Sequence, residues 1–129
     1  MKAVGVTEFG GPEALHIVEL PEPQAGPGEV RIRVRAAAVN PTDTLIRSGA
    51  RAGQLADIPP PYVPGMDVAG VLDQIGEGVA TDLRAGERVM AIVVPSGSHG
   101  AYSEFVVVPA ESVARVPAGA TDAEAARCR

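Results

Sequence analysis

The chain has one cysteine, Cys128, and no tryptophan; its aromatics are two tyrosines and two phenylalanines, and it has two histidines. A single cysteine closes no intrachain disulfide and builds no cysteine-based zinc site, a usage that fits a reducing compartment. His16 and His99 stand apart, with no spacing that joins them to other ligands, so no metal site is expected. So few aromatics leave no stacking surface for single-stranded nucleic acid. Positive charge is also scarce: 11 Lys+Arg stand against 16 Asp+Glu, a net charge of −5. Nucleic acid and anionic membranes both call for a basic footprint and are not expected as partners. No apolar run approaches the ~18 residues of a membrane span. The short apolar start is interrupted by Glu8, so no signal peptide is read. The expectation is a soluble cytoplasmic protein.

What the chain does have is glycine (15), proline (12) and 46% apolar residues. Frequent turn residues combined with ample core material predict many short strands joined by tight turns, a mainly β fold. The length of 129 residues suits one domain, 1–129. Strands are predicted over residues 2–9, 15–20, 29–39, 68–75, 88–94, 101–108 and 112–116. Within the third, Val30, Ile32 and Val34 alternate with Arg31, Arg33 and Arg35. This period of two puts the arginines on a solvated outer face. A short helix is predicted over 44–48, capped by Thr42 or Asp43 and stopped by Gly49. A second begins at Thr121, where Glu124 three positions on completes a capping box. Residues 50–58 read as a loop.

The organising stretch is 59–79. Three consecutive prolines, Pro59 to Pro61, stiffen its start. It turns at Gly65 and enters a strand of small residues, with Met66 and Asp67 at the turn. Two local clusters carry no chemistry. Ser96, Ser98 and His99 read as a polar turn, since a catalytic triad requires convergence in space. Gly76-Glu77-Gly78 matches the start of a dinucleotide fingerprint, but Thr81 stands where the third glycine belongs and no helical pattern follows.

Three blocks together resemble the medium-chain dehydrogenase/reductase superfamily, in its quinone oxidoreductase (zeta-crystallin-like) branch. They are Phe9-Gly10-Gly11-Pro12-Glu13; Ala36-Ala37-Ala38-Val39-Asn40-Pro41-Thr42-Asp43 through Ile46-Arg47-Ser48-Gly49; and Pro64-Gly65-Met66-Asp67-Val68-Ala69-Gly70-Val71 followed by Gly86-Glu87-Arg88-Val89 and Gly100-Ala101-Tyr102-Ser103-Glu104. The resemblance implies a GroES-like domain, a distorted β-barrel with short helices that forms one wall of an active-site cleft. In the complete family a following nucleotide domain binds NADP(H), and the substrates are small quinones or carbonyl compounds. It implies Asn40 and Asp43 as catalytic positions, although Asp43 serves equally as a helix cap. Asn40 and Arg47 would face the cofactor, and Leu45, Tyr62, Met66 and Asp67 would line the substrate cleft. Leu45 stands where many members carry a tyrosine near the cofactor, and leucine forms no hydrogen bond. Zinc-dependent relatives place a cysteine at the position of Asn40 and a His-Glu pair at Met66-Asp67, and carry a four-cysteine structural zinc lobe where this chain has only Pro95 to Gly100, so neither zinc site of those relatives is expected.

The family continues past Ala123-Glu124-Ala125-Ala126 into the nucleotide domain, whose glycine-rich βαβ unit does not fit in this chain. The expectation is an oxidoreductase domain inactive alone, completed by a nucleotide-binding domain or by homo-oligomerisation. The alternatives are a free-standing protein-interaction module and the N-terminal domain of a zinc-type alcohol dehydrogenase.

Overall fold

The computed structural model describes residues 1–94 and 99–127. Seven strands and two α-helices make a mainly β domain: β1 Lys2–Gly5, β2 His16–Glu19, β3 Glu29–Ala37, α1 Pro41–Ser48, β4 Asp67–Ile75, β5 Arg88–Ile92, β6 Phe105–Pro109, β7 Val113–Arg115 and α2 Asp122–Ala126. A five-stranded antiparallel sheet runs β6-β3-β4-β5-β7, and β1 and β2 form a separate antiparallel pair. The alternation in β3 places Val30 and Ile32 in the core, where they pack with Val68, Leu72, Val89, Val106 and Val108.

The arginine face of β3 is not uniformly solvated. Arg33 and Arg35 are exposed, but the Arg31 side chain is only 12% exposed. Its guanidinium donates to Asp73 through Nε and Nη2 and to Glu22 and the Pro23 carbonyl through Nη1. It also lies 4.7 Å above the Phe105 ring. Glu22 and Pro23, in the loop before β3, reach back to this arginine, which a strand-local pattern does not reveal.

The other departures from the predicted elements have local causes. The N-terminal strand ends at Gly5 because Val6 changes partner, exchanging backbone hydrogen bonds of 2.9 and 2.8 Å with Tyr62 of the proline-rich stretch. Residues 50–58 include a 3-10 turn, Ala52–Leu55. Residues 101–104 read as strand, yet β6 starts only at Phe105. The four residues bond to three separate segments instead of one ladder: Ala101 and Tyr102 N–H donate to Gly65 and Pro64, Glu104 N–H donates to Lys2, and the Glu104 carbonyl accepts from Val34. Helix α1 begins at Pro41, three residues before the predicted start. Asn40 is its N-cap, in place of Thr42 or Asp43. Pro41 occupies the first helical position, where a missing N–H costs nothing. Gly49 ends the helix in the left-handed conformation, φ 89°. The second helix follows its expected start, with Thr121 Oγ1 accepting from Glu124 N–H at 3.1 Å and Glu124 Oε1 accepting from Thr121 N–H at 3.0 Å. Its Ala125 and Ala126 pack on Ala69 of β4, which docks a helix too short to stand alone.

Candidate functional site

The site forms where β3 ends, α1 begins and the proline-glycine stretch enters β4. The β3–β4 pairing continues one step beyond β3, with Ala38 N–H donating to the Asp67 carbonyl at 3.2 Å. That carries Asn40 toward the start of β4, and Asn40 Nδ2 donates to Asp67 Oδ2 at 2.7 Å. Asp67 is buried, at 4% exposure, and Asn40 is half-buried.

Asp43 lies one turn into α1 and is also 4% exposed. Its Oδ2 accepts from the Asn40 backbone N–H at 2.8 Å and from the Tyr102 hydroxyl at 3.2 Å. Its Oδ1 accepts from Gly65 N–H at 2.8 Å. One carboxylate therefore ties together the start of α1, the glycine turn before β4 and the segment before β6. Gly65 has φ 111°, and a Cβ there would sit 2.6 Å from the Ala101 nitrogen, so only glycine fits this crossing. The Tyr102 hydroxyl also reaches the Ala38 carbonyl at 3.3 Å. Burial, together with the neighbouring Asp43 charge and hydrogen bond, pushes the Tyr102 phenol well above its ordinary range.

Of the residues expected at the site, Asn40, Asp43 and Asp67 come together, and Met66 is next in the chain, half-buried, with its carbonyl accepting from Val93 N–H at 2.7 Å. Arg47 is seven residues beyond Asn40, about two turns along the same side of α1. Its Nε is buried and has no hydrogen-bond partner among the described residues. Leu45 is exposed and lies about 140° around the helix from Asn40. Tyr62 is elsewhere: it stacks on Phe9 at 5.4 Å, and Phe9 lies against Gly49 at the C-terminal end of α1. That end is about 12 Å from Asn40, given the helical rise over eight residues. The Tyr62 hydroxyl turns to the Ile58 carbonyl at 2.9 Å.

Asp67 also lines a cleft of about 210 Å³ with Met90, Ile92, Ser112, Ala125 and Ala126. None of these five was singled out from the sequence, and neither was Tyr102 outside its family motif. Among the described residues no three His, Cys, Asp or Glu side chains converge as a metal site. His16 and His99 are exposed. Ser96 and Ser98, predicted in a polar turn with His99, and Cys128 lie outside the described residues. No helix among the described residues is long and apolar enough to cross a membrane.

The site thus offers an amide clamped by a buried carboxylate, beside a small, mostly apolar cleft. An amide so held can orient and polarise a carbonyl group, and among the described residues no imidazole is part of the site.

Residues 26–118 match the family model of the alcohol dehydrogenase GroES-like domain. The quinone oxidoreductase of Rattus norvegicus is 42% identical over 110 residues, which cover 83% of this chain and 31% of the relative. A crystal structure of an NAD-dependent alcohol dehydrogenase superposes with a TM-score of 0.89 at 32% identity, over 99% of this chain and 43% of that one. A mycobacterial protein complexed with NADPH superposes with a TM-score of 0.78 at 38% identity, over 95% of this chain and 35% of that one. The chain spans about a third of the length of the curated relatives it matches. The chain corresponds to the N-terminal part of these relatives, and it belongs to the alcohol dehydrogenase GroES-like domain family, in the quinone oxidoreductase-like medium-chain dehydrogenase/reductases.

Proposed function

We propose that this domain is the substrate-side wall of a zinc-independent, NADP(H)-dependent reductase of quinones or α,β-unsaturated carbonyl compounds. The observation that carries the reading is the Asn40–Asp67 pair. Where zinc-dependent relatives hold a thiolate, this chain holds an amide whose nitrogen already donates to a carboxylate. An amide NH2 is a donor with no lone pair for a metal, and thioethers such as Met66 prefer softer ions.

Arg47 and Asn40 suit a nicotinamide dinucleotide. They share one side of α1, and the Arg47 Nε, which has no partner among the described residues, is a donor that an anionic group would satisfy. When bound, the cofactor supplies the hydride. Asn40 orients the cofactor carboxamide or the substrate carbonyl, and Met66 shapes the cleft wall. Asp43 has both oxygens engaged by protein donors, so its contribution is to position Asn40 rather than to exchange protons.

The domain by itself is expected to be inactive. Mixed with NADPH and a model quinone it should leave the oxidation rate at the level without protein; joined to its nucleotide-binding domain it should raise that rate. Metal analysis should find no stoichiometric zinc, and one zinc per chain would restore the zinc-type alcohol dehydrogenase reading. One observation favours a second reading, a protein-interaction module: Val39, Ile92 and Val94 are 76, 50 and 63% exposed beside the site. Sedimentation as a monomer that captures no partner would count against it.

A further inference from the structure

We propose that Asp67 is a positioning residue that fixes which end of the Asn40 amide is left for a ligand, so that Asn40 presents an N–H donor and not its carbonyl. This rests on the proposed role of Asn40 in orienting a substrate carbonyl given above. An asparagine side chain has a donor end and an acceptor end of nearly equal shape, and its surroundings decide between them. Here the decision is chemical. Asp67 is a buried carboxylate at 2.7 Å, and a carboxylate only accepts, so the Asn40 nitrogen has to face it. The Asn40 side-chain oxygen is drawn the other way, toward the N–H of Asp43 at the start of α1, in a capping-box arrangement that falls short of a full hydrogen bond.

With one N–H on Asp67 and the oxygen turned to the helix, the remaining group is the second N–H. The ligand atom that matches it is an acceptor oxygen: a quinone or enone carbonyl, on which negative charge grows as hydride arrives. A donor already oriented before the charge develops stabilises it without reorganisation. Replacing Asp67 with a side chain that makes no such bond frees the amide to rotate and leaves the donor unaimed.

The test is NMR of the 15N-labelled chain, reading the Asn40 side-chain amide, identified by its loss in Asn40→Leu. In the ligand-free parent one Nδ2 proton should lie further downfield of the other than in a free asparagine side chain and be protected from solvent exchange. Asp67→Leu should return the separation to that of a free asparagine and remove the protection while the backbone spectrum of the sheet persists. Asp67→Asn, which keeps an acceptor oxygen, should restore both. A free-asparagine separation with both protons unprotected in the parent, or an unchanged pattern in Asp67→Leu, would overturn the proposal. Should Asp67→Leu not fold, the parent and Asp67→Asn spectra decide it by the same criteria. Adding 1,4-naphthoquinone reads the function separately: movement of the unprotected Asn40 proton supports the donor role. No movement overturns the cleft reading of Asn40, while the ligand-free splitting decides the positioning by Asp67.

Discussion

Asp43 is the residue on which the local geometry turns. Its two oxygens accept from Asn40 N–H, Tyr102 OH and Gly65 N–H, and no water competes for them at 4% exposure. Removing the carboxylate strands buried donors on three segments. Asp43→Ala should lower stability by about 3 kcal/mol or more, since hydrogen bonds to charged groups contribute about 1.5–3 kcal/mol each and unmet donors add to the loss. Urea denaturation followed by circular dichroism measures it. Tyr102 gives a pH-dependent counterpart. Its phenol is held protonated by burial first and by Asp43 second, above the ordinary value of 10.0. A group whose pKa is higher folded than unfolded stabilises the fold fully below the unfolded value and loses that contribution as pH rises above it. The domain should therefore weaken above about pH 10, as the unfolded phenol ionises and the folded one does not. Tyr102→Phe should flatten that alkaline slope in denaturation curves collected from pH 9 upward. Of Asp43's partners only Asn40, three positions away, is legible in the chain: Tyr102 is 59 positions from Asp43, and Gly65 is 22. The local pattern gives Asp43 as a helix cap and the resemblance gives it as a catalytic position; the contacts to Gly65 and Tyr102 lie beyond both.

At the scale of elements, legibility followed the range of the interaction that defines each one. The capping box of α2 is encoded within four residues, and Thr121 and Glu124 make both of its bonds. Thr121→Ala should cost about 1 kcal/mol of helix stability. Because α2 also rests on Ala69, the change should appear as faster amide exchange of Ala125, whose N–H donates to Thr121, and only weakly in the unfolding midpoint. The alternation of β3 likewise identified Val30 and Ile32 as core. The start of α1 was read three residues late, because Pro41 looks like a breaker until it is placed at the first helical position, with Asn40 ahead of it as cap. Residues 101–104 have the apolar content of a strand, but their partners are a turn, β1 and β3, all distant in sequence. The resemblance implies Tyr62 at the cleft, and the stiff proline-rich stretch sets it against Phe9 at the far end of α1.

At the scale of the whole molecule, the domain forms one half of a cleft in the proposed reading. Its sheet and α2 support the floor, and Asn40, Asp43 and Asp67 fix the geometry of one wall. The apolar side chains Val39, Ile92 and Val94 beside that wall are exposed in this chain. In the proposed reading a nucleotide-binding domain covers them, and hydride transfer takes place between the two. The family pattern was legible because its glycines and prolines are required by the backbone at crossings such as Gly65. The aim of the Asn40 amide was not, since it depends on a carboxylate 27 residues away. The measurement that bears most directly on the central claim is the rate of NADPH oxidation with a quinone by the domain joined to its nucleotide-binding partner, metal-free, with and without Asn40→Ala. The account predicts that chelation leaves the parent rate unchanged and that Asn40→Ala lowers kcat on the order of 100-fold, the usual loss for one oriented donor. A parent rate abolished by chelation, or an Asn40→Ala rate equal to the parent's, would contradict it.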